Sequence, residues 1–344
     1  MTAVFDGHND ALGKLQARDE APEGFLSGLP ERQVDLPRAR AGGLGGGLFA
    51  VHVPSPGDEA FHEAPLWELP YSAPVDHATA AAFTAGALGR AHVLAAAGDG
   101  AVAIVTDVGG LDRCRADGTL AIVLHLEGAE AIDPGLSALD TWHAAGVRSI
   151  GPVWSRANDF GHGVPFRFPA SPDTGPGLTD AGRALVRRCA ELGILVDLSH
   201  LNAAGFADVA RLGAAPLVVS HAACHALCPS TRNVTDDQLR EIGRSDGLVG
   251  IVFSPPFLRA DGADDPDTPL ATLVAHVRHA AGLAGIDRVG LGSDFDGAHM
   301  PAELTDVSGL PRVIDALRDD GFTADEVAQI AWGNWRRVLA RTWA

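Results

Sequence analysis

Ala121-Ile122-Val123-Leu124-His125-Leu126-Glu127-Gly128 is the stretch on which the fold turns. Its apolar residues run almost unbroken, without the alternation of a half-exposed strand, and the run is shorter than a buried helix. Strands covered on both faces, as in parallel sheets flanked by helices, read this way. The run ends on a carboxylate. An isolated buried charge is costly, so Glu127 belongs at a strand end where partners converge on it.

The same pattern recurs outward along the chain. Val4-Phe5-Asp6-Gly7-His8-Asn9-Asp10 closes on a His-x-Asp pair. Leu195-Val196-Asp197-Leu198-Ser199-His200 and Leu217-Val218-Val219-Ser220-His221 each close on a histidine, and Val289-Gly290-Leu291-Gly292-Ser293-Asp294 closes on an aspartate. Eight strands are expected near residues 3–6, 47–53, 120–126, 147–153, 194–199, 217–220, 248–253 and 289–293. Amphipathic segments at 78–97, 178–192, 236–243, 270–283 and 310–320 read as helices. Thr323-Ala324-Asp325-Glu326 reads as a capping box opening a last helix that runs to about Arg341. Strands alternating with helices give βαβ units and a mostly parallel sheet. Eight units fit an α/β fold of the closed (β/α)8 TIM-barrel type, in which active sites sit at the C-terminal ends of the strands. One barrel domain spanning 1–344 accommodates the whole chain, since such barrels use roughly 250 residues or more.

An open nucleotide-binding sheet is disfavoured, because no G-x-G-x-x-G follows the first strand. The run Gly42-Gly43-Leu44-Gly45-Gly46-Gly47 lacks Lys-Ser/Thr and precedes a strand, so it is no phosphate loop. Two long loops, 54–73 and 158–176, follow strands and are expected to lie over the mouth of the barrel. The formal net charge of -18 argues against nucleic acid and anionic membranes. The N-terminal residues lack a basic region followed by an apolar stretch, and no stretch reads as long and uncharged enough to span a bilayer. Cys114, Cys189, Cys224 and Cys228 are scattered, with no second pair to complete a zinc site around Cys224 and Cys228. Free thiols and a cytoplasmic location are the expectation.

Five of the strand-end groups are metal ligands by type. His8 and Asp10 are two residues apart, so on an extended strand both face the same way. Glu127 offers two oxygens and can bridge two ions. His200 and His221 end separate strands. Nitrogen and carboxylate donors without cysteine suit zinc, with manganese or cobalt also compatible. Two ions about 3.5–4 Å apart polarise a carbonyl and hold a bridging hydroxide, whose pKa falls towards ~7. Glu127 and Asp294 are the catalytic candidates, Asp294 as the carrier of a proton to a leaving amine. Asp296 reads as a turn cap, His125 as a packed core histidine, and His52 has no comparable context.

These residues in this order resemble the renal (membrane) dipeptidase family of zinc peptidases, within the amidohydrolase-type barrels. The resemblance runs from Asp6-Gly7-His8-Asn9-Asp10 to Trp332-Gly333-Asn334-Trp335-Arg336-Arg337-Val338. Its most specific stretches are His125-Leu126-Glu127-Gly128-Ala129-Glu130, Asp197-Leu198-Ser199-His200, Ser220-His221-Ala222, Arg232-Asn233-Val234-Thr235-Asp236-Asp237-Gln238-Leu239 and Gly292-Ser293-Asp294-Phe295-Asp296-Gly297. It implies two Zn2+ ions, one on His8 and Asp10, one on His200 and His221, with Glu127 bridging. It implies that Asp294 meets the ammonium of a dipeptide and handles the proton, and that Arg232 anchors the terminal carboxylate, a role suited to a guanidinium fork. Read without the resemblance, Arg232 is a solvated loop charge.

The chain departs from the family in its substrate shell. Members usually carry a histidine after the fourth strand, in a Thr-His context, that contacts the scissile carbonyl. Here the stretch is Ser149-Ile150-Gly151-Pro152-Val153-Trp154-Ser155-Arg156-Ala157-Asn158, with Trp154 in that place. An indole donates a hydrogen bond but does not become cationic. A tyrosine frequent after the seventh strand is replaced by Val252-Phe253-Ser254-Pro255. Arg232, Asp294, Trp154 and Asn158 are the expected substrate contacts, and Arg156 is a second candidate for the carbonyl oxygen. The leading expectation is a binuclear zinc dipeptidase, and a homodimer fits its class. The alternative keeps the metals and changes the substrate to another small amide, lactone or N-acyl compound. A non-enzymatic binding barrel is the third reading.

Overall fold

Each of the eight expected runs forms a strand in the computed structural model, which describes residues 2–56 and 65–343. Part of the expected mouth loop, 57–64, lies outside the described residues. In chain order the strands of the main sheet are β1 (Val4–Asn9), β2 (Leu44–His52), β3 (Val102–Ile104), β4 (Leu120–Glu127), β5 (Val147–Gly151), β6 (Leu195–Val196), β7 (Val218–Ala222), β8 (Leu248–Ile251) and β9 (Val289–Leu291), and a separate antiparallel hairpin joins Ala157–Asn158 to Gly161–His162. All strands of the main sheet pair in parallel. The order around the sheet is β6-β5-β4-β2-β1-β9-β8-β7. A parallel bridge between Asp197 and Val218 joins its two ends and closes the barrel. Closure gathers the C-terminal ends of the eight ring strands into one rim.

The strand missing from the sequence reading is β3. It pairs only with the first residues of β4, Val102 to Leu120 and Ile104 to Ile122. The same edge of β4 then passes to β5 from Leu124 onward. Three residues are too short a run to stand out beside the long Ala-rich helix before it.

Helices cover the outside. Thr323 caps the last helix with Glu326 reaching back, the expected capping box. That helix continues through one π-helical turn at Gln329–Gly333 into Asn334–Thr342. From it Trp332 and Trp335 pack with Phe5, Leu48, Ala121, Val123, Leu195, Val218 and Leu248, residues in the N-terminal halves of the strands. The two indoles thus plug the end of the barrel away from the strand tips. Glycines make the room. A Cβ on Gly7 would stand 2.3 Å from the Trp335 ring, and one on Gly290 would stand 2.6 Å from its Nε1. That Nε1 donates to the Leu291 carbonyl at 2.9 Å.

One reading needs correction. The helix His77–Ala97 is long and apolar enough, by length and composition, to cross a membrane. Its Ala87, Leu88, Ala91 and Leu94 belong to the main core. Its Arg90 donates to Gln16 Oε1 at 2.8 Å. This is the packing of a helix laid against a barrel. All four cysteines are free and buried.

Candidate active site

The strand ends bring five expected ligands to one point. His8 comes from β1 and Asp10 from the residue before the helix Ala11–Ala17. Glu127 ends β4, His221 lies in β7, and His200 follows β6. Glu127 Oε1 is the hub: His200 Nε2 lies 2.9 Å away, His221 Nε2 3.5 Å and His8 Nε2 3.6 Å. His8 Nε2 is also 3.6 Å from Asp10 Oδ2 and 3.9 Å from Asp294 Oδ1. Contacts near 3.5 Å are long for hydrogen bonds. They match donors sharing one tetrahedral ion, which at metal–ligand distances of about 2.1 Å stand about 3.4 Å apart.

Buried, unpartnered atoms and charge both show that the residues fit a metal. His8 is fully buried, and neither ring nitrogen has a hydrogen-bond partner. Burial disfavours a charged His8, yet Glu127, Asp10 and Asp294 outweigh it and hold its pKa up to about 10. Glu127 is pushed up to about 8 and Asp294 to about 7, by burial first and by neighbouring carboxylates, with His8 opposing. His200 and His221 are held well below the usual histidine range by burial, with Arg232 and His8 adding to it. The carboxylates thus gather positive charge onto His8 while His200 and His221 stay neutral, an environment that suits divalent cations.

A second set of groups fixes the ligands, and sequence reasoning missed it. Asp197, fully buried between β6 and β7, accepts from Ser199 N, Ser199 Oγ, Ser220 N and Ser220 Oγ, the last at 2.5 Å. Ser220 Oγ has one hydrogen, spent on Asp197, so it accepts from His221 Nδ1 at 2.8 Å. The Nε2 lone pair of His221 then faces Glu127 and any ion beside it. His200 Nδ1 meets Ser155 Oγ at 2.8 Å. On the opposite side Asp6 accepts from Ser293 N and Ser293 Oγ, both at 2.7 Å. The signal for these groups was the serine placed directly before His200, His221 and Asp294. His125, expected as a packed core histidine, is fully buried; its Nδ1 contacts Ser149 Oγ and its Nε2 lies 3.5 Å from Asp197 Oδ2.

Two of these residues hold uncommon backbone. His200 has φ +67° and Asp294 φ +65°. Left-handed geometry in non-glycine residues costs of order 1 kcal/mol or more each, and it concentrates at functional sites. Asp294 N donates to the His8 carbonyl at 3.0 Å, which ties the β9 end to β1. Asp296 instead accepts from Gln33 N and Val34 N, so it ties the segment after β9 to a distant loop and does not cap a turn of its own.

The substrate candidates separate. Arg232 is 5% exposed, donates to the His221 carbonyl at 3.1 Å, lies over the Phe257 ring, and has a buried Nε without a partner. The solvated loop charge of the plain sequence reading is thus a buried cation beside the cluster. Trp154 also stands at the cluster, its ring 5.7 Å from that of His200 and 4.4 Å from that of His52. Asn158 is not brought there. Its amide donates to the Pro152 carbonyl and Glu130 Oε1 and accepts from Phe160 N and Gly161 N. Arg156 is fully buried, donating to Glu130 Oε1 and Ser55 Oγ.

Comparison with known proteins places this geometry. The model of the membrane dipeptidase family (peptidase family M19) matches residues 1–343. A metallo peptidase from Rhodobacter sphaeroides, solved with a phosphinate mimic of the dipeptide L-Ala-D-Ala, is 44% identical with TM-score 0.96, covering 99% of each chain. The solved dipeptidase AC, a metallo peptidase, is 43% identical with TM-score 0.95, covering 100% of this chain and 99% of its own. A protein of Klebsiella pneumoniae described as uncharacterized, in the pqqA 5' region, is 50% identical over 68% of this chain and 86% of its own length.

Proposed function

The chain belongs to the membrane dipeptidase family, peptidase family M19, and is a metallo-dipeptidase; from that premise we propose that two zinc ions on His8, Asp10, Glu127, His200 and His221 serve the hydrolysis. Bound there, such ions supply a Lewis acid for the carbonyl and a water acidified towards a pKa of ~7. The rest is done by the chain. Arg232 receives the substrate's terminal carboxylate: a buried guanidinium with a carbonyl and a ring for company is completed by an anion. Asp294 faces the free ammonium. Its carboxyl, raised to about 7, takes a proton from the attacking water and returns it to the leaving amine. The serines behind His200 and His221 keep their Nε2 atoms directed inward, and Trp154 covers the cluster.

The observation that carries this reading is the convergence of three imidazoles on Glu127 Oε1 beside a buried Arg232. The test is Asp294→Asn, which is expected to abolish turnover while metal content stays near that of wild type. Loss of both would show that Asp294 is a ligand and not the proton carrier. The presence of Trp154 favours a second reading, a pocket reshaped for another amide, lactone or N-acyl compound. A panel of dipeptides, including ones with a C-terminal D-residue, assayed beside N-acyl amino acids separates the two. Turnover only of substrates lacking a free amine would establish the second.

A further inference from the structure

Amide hydrolysis places negative charge on the carbonyl oxygen, and none of the roles above accounts for a side-chain donor to it. As water adds, a new C–O bond forms and the carbonyl π pair moves onto oxygen. When the C–N bond breaks, that pair returns and the amine leaves with the proton carried by Asp294. Between these events a hydrogen-bond donor on the substrate side of the cluster would add to the stabilisation that bound ions supply.

We propose that His52 is that donor. It ends β2, and the sheet register sets it directly beside Glu127 on β4. Its Nδ1 lies 3.8 Å from Glu127 Oε2. Its ring packs 4.4 Å from that of Trp154. Accessibility singles it out. The side chain of His52 is 19% exposed, whereas those of His8, His200 and His221 are exposed by 0%, 4% and 1%. The three ligands are sealed into the strand ends, whereas the His52 ring keeps a partly exposed face while its Nδ1 is buried toward Glu127. The two cations near the cluster are placed otherwise. Arg156 is fully buried against Glu130 and Ser55. Arg232 is held to the His221 carbonyl, on the opposite flank of Glu127 from β2, and serves the carboxylate.

The inference rests on the dipeptidase reading, and the experiment separates the two. His52→Ala and His52→Gln are prepared in the full-length, zinc-supplemented protein. Metal content, kcat and KM for a dipeptide, and the affinity of a phosphinate dipeptide mimic are measured. Loss of one oxyanion donor is expected to lower kcat of His52→Ala by about 10²–10³-fold and to weaken the tetrahedral phosphinate by a similar factor. KM and metal content stay near wild type, and His52→Gln, which keeps an N–H donor, recovers part of the loss. A kcat near that of wild type would overturn the proposal. So would metal lost together with kcat, or phosphinate affinity left unchanged. If His52→Ala does not fold, His52→Asn is read by the same criteria. Wild-type protein that cleaves no dipeptide refutes the dipeptidase reading instead, and the His52 comparison is then made on the amide it does cleave.

Discussion

Removing one hydroxyl behind the metal ligands is expected to weaken metal binding without touching a ligand. In Ser220→Ala, Asp197 loses the shortest of its four donors, and His221 Nδ1 loses its acceptor. The buried N–H left unpaired costs about 1–3 kcal/mol, and loss of a hydrogen bond to a charged group about 1.5–3 kcal/mol. These share one atom and do not add, so the folded metal-free protein should lose about 2–4 kcal/mol. The ion beside His221 depends on that ring presenting its Nε2 lone pair. Loss of such a support typically lowers metal affinity by about 10–100-fold. Competition between the protein and a chromophoric chelator measures the affinity of each site, and urea unfolding of the metal-free protein measures the stability. The expected result is one weakened site and one unchanged. Equal affinities at both sites with reduced stability would refute the reasoning, because Asp197 and Ser220 would then only join β6 to β7.

Other outcomes are equally specific. Metal binding should release protons at neutral pH, because in the metal-free cluster burial pushes Glu127 up to about 8 and, against burial, the surrounding carboxylates hold His8 up to about 10, and metal requires the ionised carboxylate and the neutral imidazole. Affinity should therefore rise with pH through this range, and calorimetry in buffers of different ionisation enthalpy counts the protons. His276 accepts from Cys224 N and donates to the Leu258 carbonyl, and burial lowers its pKa from 6.5 to about 4. Above pH 6.5 neither state binds this proton and its stabilisation is complete. As pH falls from 6.5 towards 4 the unfolded chain takes up a proton the native state refuses, so about 3 kcal/mol is lost over that window. Unfolding curves of His276→Gln should show a shallower slope there; an identical slope would contradict the assignment. Gly290→Ala drives a methyl against Trp335, and overpacking of this kind costs about 1–3 kcal/mol, readable as a lower melting temperature with metal content retained.

Much of this was legible because a strand buried on both faces announces itself by an apolar run, and a polar group at its tip has few reasons to be there. His8, Glu127, His200, His221 and Asp294 were found by that rule. His52 obeys it too, at the end of Leu44–His52, but the glycines at the start of that strand blurred the run. The Asp197–Ser220–His221 chain depends on the register of β6 against β7 and on rotamers, which no linear pattern displays. Arg232 shows the other limit. Its burial comes from the loop folding back under Phe257, with Asn233 bonded to the Cys228 and Phe257 carbonyls. Asn158 reads as a site residue by its neighbours, yet the two donors and one carbonyl of its amide are taken up by Pro152, Glu130, Phe160 and Gly161.

The indole plug bears on biosynthesis. Trp332 and Trp335 are translated after every strand of the barrel, and domains consolidate as their segments emerge. A nascent chain with all its strands outside the ribosome still has a hollow lined by Phe5, Leu48 and Val218. Until the closing helix arrives, that hollow is a greasy cup open to chaperones, and the ligands above it have no floor. Metal loading should therefore wait for the helix that carries Trp332 and Trp335.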